Sequence, residues 1–123
     1  MGTLSIDHVQ LQFHRLYVEK VRTFYGALLG LTEIAASAQG SLRYGLGNQR
    51  LDFIATDEVA APPSAVHVAL RVDDLGEVRD RLQEAGYPIN QFGDFGGHTR
   101  FYTLDPVGNT LEIVEPASAL SSR

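Results

Sequence analysis

Apolar and polar residues alternate in two short stretches of the chain, "IDHVQLQF" (6–13) and "AVHVALRV" (65–72), and a histidine holds the equivalent place in each. Successive side chains of a strand face opposite ways. The first strand therefore puts Val9, Leu11 and Phe13 on one face and Ile6, His8, Gln10 and Gln12 on the other. The second puts Val66, Val68, Leu70 and Val72 on one face and His67, Ala69 and Arg71 on the other. After each strand the period lengthens. Val18, Val21, Tyr25 and Leu28 in "VEKVRTFYGALLG" (18–30), and Leu75, Val78 and Leu82 in "LGEVRDRLQEAG" (75–86), follow the spacing of amphipathic helices. Gly30 and Gly86 close them as left-handed stops, and Asp74 with Glu77 predicts a capping box at the second.

Each helix is followed by a short segment ("LTEIAA", "YPINQF") and then by two strands around a turn. "LRYGLGNQRLDFIA" (42–55) aligns with "TRFYTLDPVGNTLEIVE" (99–115), with Tyr44 over Tyr102, Leu46 over Leu104, Leu51 over Leu111 and Asp52 over Glu112. "GNQR" and "DPVGNT" supply the turns. The pattern predicts two copies of strand–helix–strand–strand–strand: module one over 4–56, a linker over 57–63 whose prolines favour extended chain, module two over 64–116, and a tail over 117–123. A module of this size is marginal alone, so the two are expected to share a core or to pair across a dimer.

Composition narrows the partners. The 123 residues are 44% hydrophobic and 20% charged, which fits one folded domain. The net charge of −5 provides no basic stripe for phosphates, so neither nucleic acid nor an anionic membrane is an expected partner. With no cysteine there is no disulfide framework, thiolate metal site or Cys nucleophile. The start "MGTLSIDHVQ" lacks the pattern of a secretory signal, and the expected location is the cytoplasm.

Chemistry enters through the repeat. His8 and His67 lie on the faces that the aliphatic residues avoid, and Asp52 and Glu112 alternate with apolar neighbours in the last strand of each module. Four potential metal ligands thus sit mid-strand at equivalent places. Two imidazoles and a carboxylate with open positions suit a borderline divalent metal such as iron or zinc. One histidine in a strand is ordinarily a structural residue, and a carboxylate there is ordinarily solvated; the recurrence at equivalent positions is what favours a metal. Arg100 and Arg71 either clamp an anionic substrate or are surface arginines, the commoner case, and Gln10 shares the His8 face and either lines a pocket or meets water.

"DHVQL", "FYGALLGL", "HVALRVDDL" and above all "RFYTLDPVGNTLEIVEP" make nearly the whole chain resemble the vicinal oxygen chelate superfamily, which includes glyoxalase I, extradiol dioxygenases and the fosfomycin and bleomycin resistance proteins. The resemblance implies an α+β fold of two tandem βαβββ modules, forming a cupped eight-strand mixed sheet with helices on the outer face, often completed as a homodimer. It implies metal ligation by His8, His67 and Glu112, with Asp52 in the place of a fourth ligand or holding a bound water. The expected cofactor is a divalent ion: nickel, zinc, manganese or iron(II). The implied catalytic residues are Glu112 for proton transfer, Tyr102 as a hydrogen-bond partner of substrate oxygen, and His98 near the acid–base histidine of the extradiol enzymes. The stretch "GDFGGH" (93–98) is expected as a mobile rim or a plain surface loop.

The expected function is a metal-dependent glyoxalase-like lyase or isomerase acting on a small substrate with vicinal oxygens. The alternatives are an iron(II) extradiol-type dioxygenase and a metal-free small-molecule binding protein of the bleomycin resistance kind.

Overall fold

The computed structural model of the chain describes residues 2–58, 62 and 65–116; most of the expected linker and all of the expected tail lie outside them. Among these residues eight strands and two α-helices form an α+β fold of two tandem βαβββ modules, each carrying one four-stranded mixed sheet. The chain divides into the compact units Met1–Ala60 and Ala61–Arg123.

The first unit runs β1 (His8–His14), a helical stretch, β2 (Thr32–Ala36), β3 (Leu42–Leu46) and β4 (Gln49–Thr56). Its sheet has the order β1-β4-β3-β2, with β1 parallel to β4 and the other pairs antiparallel. The predicted helix over 18–30 is real but irregular. A 3₁₀ turn (Arg15–Tyr17) leads into α1 (Val18–Arg22), and Thr23–Leu28 continues it as π-helix. The wider π turn carries two adjacent aromatic residues inward, and Val21, Phe24 and Tyr25 are all fully buried. Tyr25 packs on Phe53 with ring centroids 4.5 Å apart, and Phe53 meets Tyr44 at 5.9 Å. The helical stretch ends at Gly30, whose φ of 78° suits a residue without a Cβ.

The second unit runs β5 (His67–Arg71), α2 (Leu75–Glu84), β6 (Asn90–Phe95), β7 (His98–Leu104) and β8 (Thr110–Pro116), in the sheet order β5-β8-β7-β6. Helix α2 buries Leu75, Val78 and Leu82, while the sheet contributes buried Leu70, Phe101, Leu111 and Ile113. Half of the expected capping box forms. Asp74 accepts from the Glu77 amide at 3.1 Å, but the Glu77 carboxylate pairs with Arg81 one turn on instead of the Asp74 amide, and Glu115 of β8 accepts from the Leu75 amide.

Three expectations are corrected in register or boundary. The strands begin at His8 and His67, so the histidines open their strands instead of standing mid-strand. "GDFGGH" is not a plain loop but a hairpin: 93–95 belong to β6, and Gly96 and Gly97, with φ of 59° and 83°, make the two-residue turn to His98. Two left-handed residues in succession match the twist of a tight hairpin, which glycine permits at little cost. Finally, Tyr44 does not correspond to Tyr102. Tyr44 lies opposite Leu51 and faces the core, whereas Leu111 lies opposite Thr103, so Tyr102 lies opposite Glu112 on the other face. A shift of one residue exchanges the faces of a strand.

Candidate metal and substrate site

In the second unit the face of the sheet away from α2 forms a small grid. His67 lies beside Thr110, Ala69 beside Glu112 and Arg71 beside Val114 across the parallel β5–β8 ladder. On the far side of β8, Tyr102 lies beside Glu112 and Arg100 beside Val114. His67 reaches diagonally to Glu112, with Nε2 3.0 Å from Oε1. Arg100 Nη1 approaches the second oxygen of Glu112 at 3.4 Å and donates to Tyr102 Oη at 3.3 Å. The His67 and Tyr102 rings meet edge to face, their centroids 5.3 Å apart. Glu112 is only 14% exposed in its side chain, and His67 is 33% exposed.

His98 stands at the start of β7, and its Nδ1 lies 3.2 Å from the Gly96 carbonyl. A carbonyl only accepts, so Nδ1 is the donor in this contact. His98, Arg100, Arg71 and Glu112 line one cleft of about 370 Å³.

The first unit repeats the diagonal with a different result. His8 Nε2 stands 4.0 Å from Asp52 Oδ2, and its Nδ1 is 2.8 Å from Asp7, which orients the ring. Asp52 is itself committed. Arg50 grips both its oxygens, with Nε at 3.0 Å from Oδ1 and Nη2 at 2.9 Å from Oδ2, and Arg43 lies at 3.8 Å. These donors, the Arg50 hydrogen bonds first, hold the Asp52 carboxyl below its usual range against the opposing effect of burial. The hydrogen bond from His8 and then the charge of Arg50 lower Asp7 in the same way. Gln10 lines a separate cleft of about 350 Å³ with Asp52 and Arg43.

Sequence patterning passed over Arg50. The signal was present, because Arg50 and Asp52 are two apart in a strand and so share a face.

Residues 5–113 match the model of the Glyoxalase/Bleomycin resistance protein/Dioxygenase superfamily. The chain belongs to that superfamily. Solved structures agree on the fold. A protein from Bacillus anthracis assigned to the glyoxalase family is 28% identical, with a TM-score of 0.81 over 94% of this chain and 98% of its own. The lactoylglutathione lyase of Agrobacterium tumefaciens is 20% identical with a TM-score of 0.71, over 94% and 96% of the two chains. TnmS3, an antibiotic binding protein from Streptomyces sp. CB03234, is 21% identical with a TM-score of 0.74, over 94% and 98%. No curated protein matches the sequence.

Proteins of this fold thus range from a lyase to an antibiotic binder, and the choice rests on the side chains. Of the residues singled out in the sequence, the second unit brings together His67, Glu112, Tyr102 and Arg100; His98 lines one cleft with Glu112 and Arg100, while His67 and Tyr102 line another. The first unit brings His8 toward Asp52, and Gln10 lines the cleft beside Asp52. Within either unit, among the described residues, no three His, Asp or Glu side chains form a ready-made metal cluster. The fit to a metal is therefore judged on donor pairs. Two donors about 2.1 Å from one ion and at right angles to each other are about 3.0 Å apart. His67 and Glu112 have that separation, while His8 and Asp52 at 4.0 Å do not.

Among the described residues no helix is long and apolar enough to cross a membrane.

Proposed function

We propose that this superfamily member is a metal-dependent lyase or isomerase acting on a small substrate with vicinal oxygens. The observation that carries the reading is the His67–Glu112 pair, two donors at ligand spacing on a partly buried sheet face with a phenol and a guanidinium against them. His67 and Glu112 are the proposed ligands, and the proton they share is what ligation displaces. His8, the repeat equivalent of His67, is the proposed ligand of the first unit. Asp52 is assigned instead to charge balance, since both its oxygens already accept from Arg50. A divalent ion, whether nickel, zinc, manganese or iron(II), supplies Lewis-acid polarisation of a carbonyl or enediolate oxygen.

The chain's own groups do the rest. Glu112 is the carboxylate that moves a proton next to the carbonyl, held in place by Arg100 on the oxygen away from His67. Tyr102 Oη accepts from Arg100, which leaves its own hydroxyl proton to donate to a substrate oxygen. His98 lines the cleft beside Glu112 and Arg100, its ring turned by the contact of Nδ1 with the Gly96 carbonyl. A homodimer in the cytoplasm completes the reading, and a monomer in sedimentation at micromolar concentration would end that part.

The test is elemental analysis of protein purified without chelators, beside His8→Ala, His67→Ala and Glu112→Ala, followed by turnover of a hemithioacetal. Near-stoichiometric metal that is lost in the variants, with activity abolished in Glu112→Gln, is the expected result. Protein that stays empty when offered all four ions sinks the proposal and leaves a metal-free binding protein in its place. Oxygen uptake with a catechol by the iron-loaded protein would replace it with an extradiol dioxygenase.

A further inference from the structure

Arg71 is the one described arginine to which no carboxylate is paired; the others pair with Asp7, Asp52, Asp57, Asp80 or a glutamate. It is not stranded at random. Arg71 and Arg100 both lie beside Val114, one on each neighbouring strand and on the same face. Two strand spacings separate their backbones by about 10 Å, a span that two guanidinium arms can close over Val114. The floor between them is small or apolar, Ala69 and Val114, and the cleft above it holds about 370 Å³. His98 lines the same cleft. In a protein of net charge −5, this wall sets two arginines against one carboxylate, Glu112, whose charge His67 and Arg100 already engage. A concave patch of the minority sign concentrates ions of the opposite sign.

We propose that this cleft captures an anionic group of the substrate, with Arg71 as its specificity-determining residue. The inference deepens the metal-dependent reading and rests on it only for calling the ligand a substrate. The row of Arg71 and Arg100 is two residues along the strands from the row of Glu112, about 7 Å. The ligand class is therefore an oxygenated acid whose charged group lies about that far from its reacting oxygens. A carboxylate and a phosphate both fit a guanidinium fork.

The test is a two-dimensional NMR titration of EDTA-treated protein with inorganic phosphate, with glutarate and with the neutral 1,5-pentanediol. Saturable shifts of the Ala69 and Val114 amides and of the Arg71 side chain are expected with one or both anions and not with the diol; the tighter anion names the source of the charge. Arg71→Gln should weaken that binding about tenfold, Arg71→Lys should recover part of it, and Arg79→Gln on the helix should change nothing. Failure of both anions to saturate, or unchanged affinity in Arg71→Gln, overturns the inference. Metal content measured on the same proteins separates the two readings. Anion binding lost or absent while metal is retained counts against the cleft alone, and anion binding that persists in a protein unable to hold metal counts against the metal centre alone.

Discussion

Replacing Asp105 with alanine should destabilise the protein by about 3–5 kcal/mol, a large loss for a residue that touches no substrate. Asp105 is 4% exposed and anchors the turn between β7 and β8. Its Oδ1 accepts from the amides of Val107 at 3.0 Å and Asn109 at 2.8 Å, and its Oδ2 accepts from the Asn109 side-chain nitrogen at 2.8 Å. The backbone closes the same loop from Asp105 to Asn109 at 2.9 Å. Truncation orphans two buried donors of Asn109, each at about 1–3 kcal/mol, while water can reach the Val107 amide at smaller cost. Asp105→Asn is the informative partner. It keeps an oxygen for both backbone amides, and Asn109 restores the last bond by turning its own amide, so the loss should be about 1 kcal/mol. Urea unfolding followed by circular dichroism reads both. With a slope of about 2 kcal/mol per molar, the midpoint should fall by about 1.5–2.5 M in the alanine variant and about 0.5 M in the asparagine variant. An alanine variant within about 0.5 kcal/mol of the parent, or an asparagine variant as damaged as alanine, would refute the buried-acceptor argument.

Two further predictions concern the cores. Burial, and next the charge of Glu33, push Tyr44 up to about 12. Because that lies above its unfolded value of about 10, its contribution is whole below pH 10 and is lost as pH rises through 12, about 2–3 kcal/mol in all. Tyr44→Phe should abolish that part of the alkaline slope, and equal slopes for the two proteins would contradict it. Thr103 carries a buried hydroxyl with no hydrogen-bond partner among the described residues. Thr103→Val should therefore raise the melting free energy by about 1 kcal/mol, and a loss of that size would show that the hydroxyl is satisfied after all.

The two-module organisation was legible because hydrophobic periodicity is local: period two for β1 and β5, then a helical period, then two strands around a turn. The helix of the first unit was legible as a helix but not as a π-bearing one, because that turn is set by how Phe24 and Tyr25 fit against Phe53 from a distant strand. The equivalence of His8 with His67, and of Asp52 with Glu112, survives in the ladders, where each acid lies two residues past its histidine's partner. The equivalence of Tyr44 with Tyr102 does not. Aligning letters pairs tyrosine with tyrosine, whereas the ladder counts residues through the turn, and the Asp105–Asn109 loop sets that count.

What the sequence alone determined is which residues can face away from the core, since alternation along a strand depends only on the chain's own geometry. Which of them meet was decided by tertiary structure. The same diagonal yields a hydrogen-bonded His67–Glu112 pair in one unit and an Asp52 locked by Arg50 in the other. The difference arises because a carboxylate takes whichever cation its neighbouring strands bring within hydrogen-bond reach. Arg71 is left without such a carboxylate by the same rule, and that places it, with Arg100, over an open cleft.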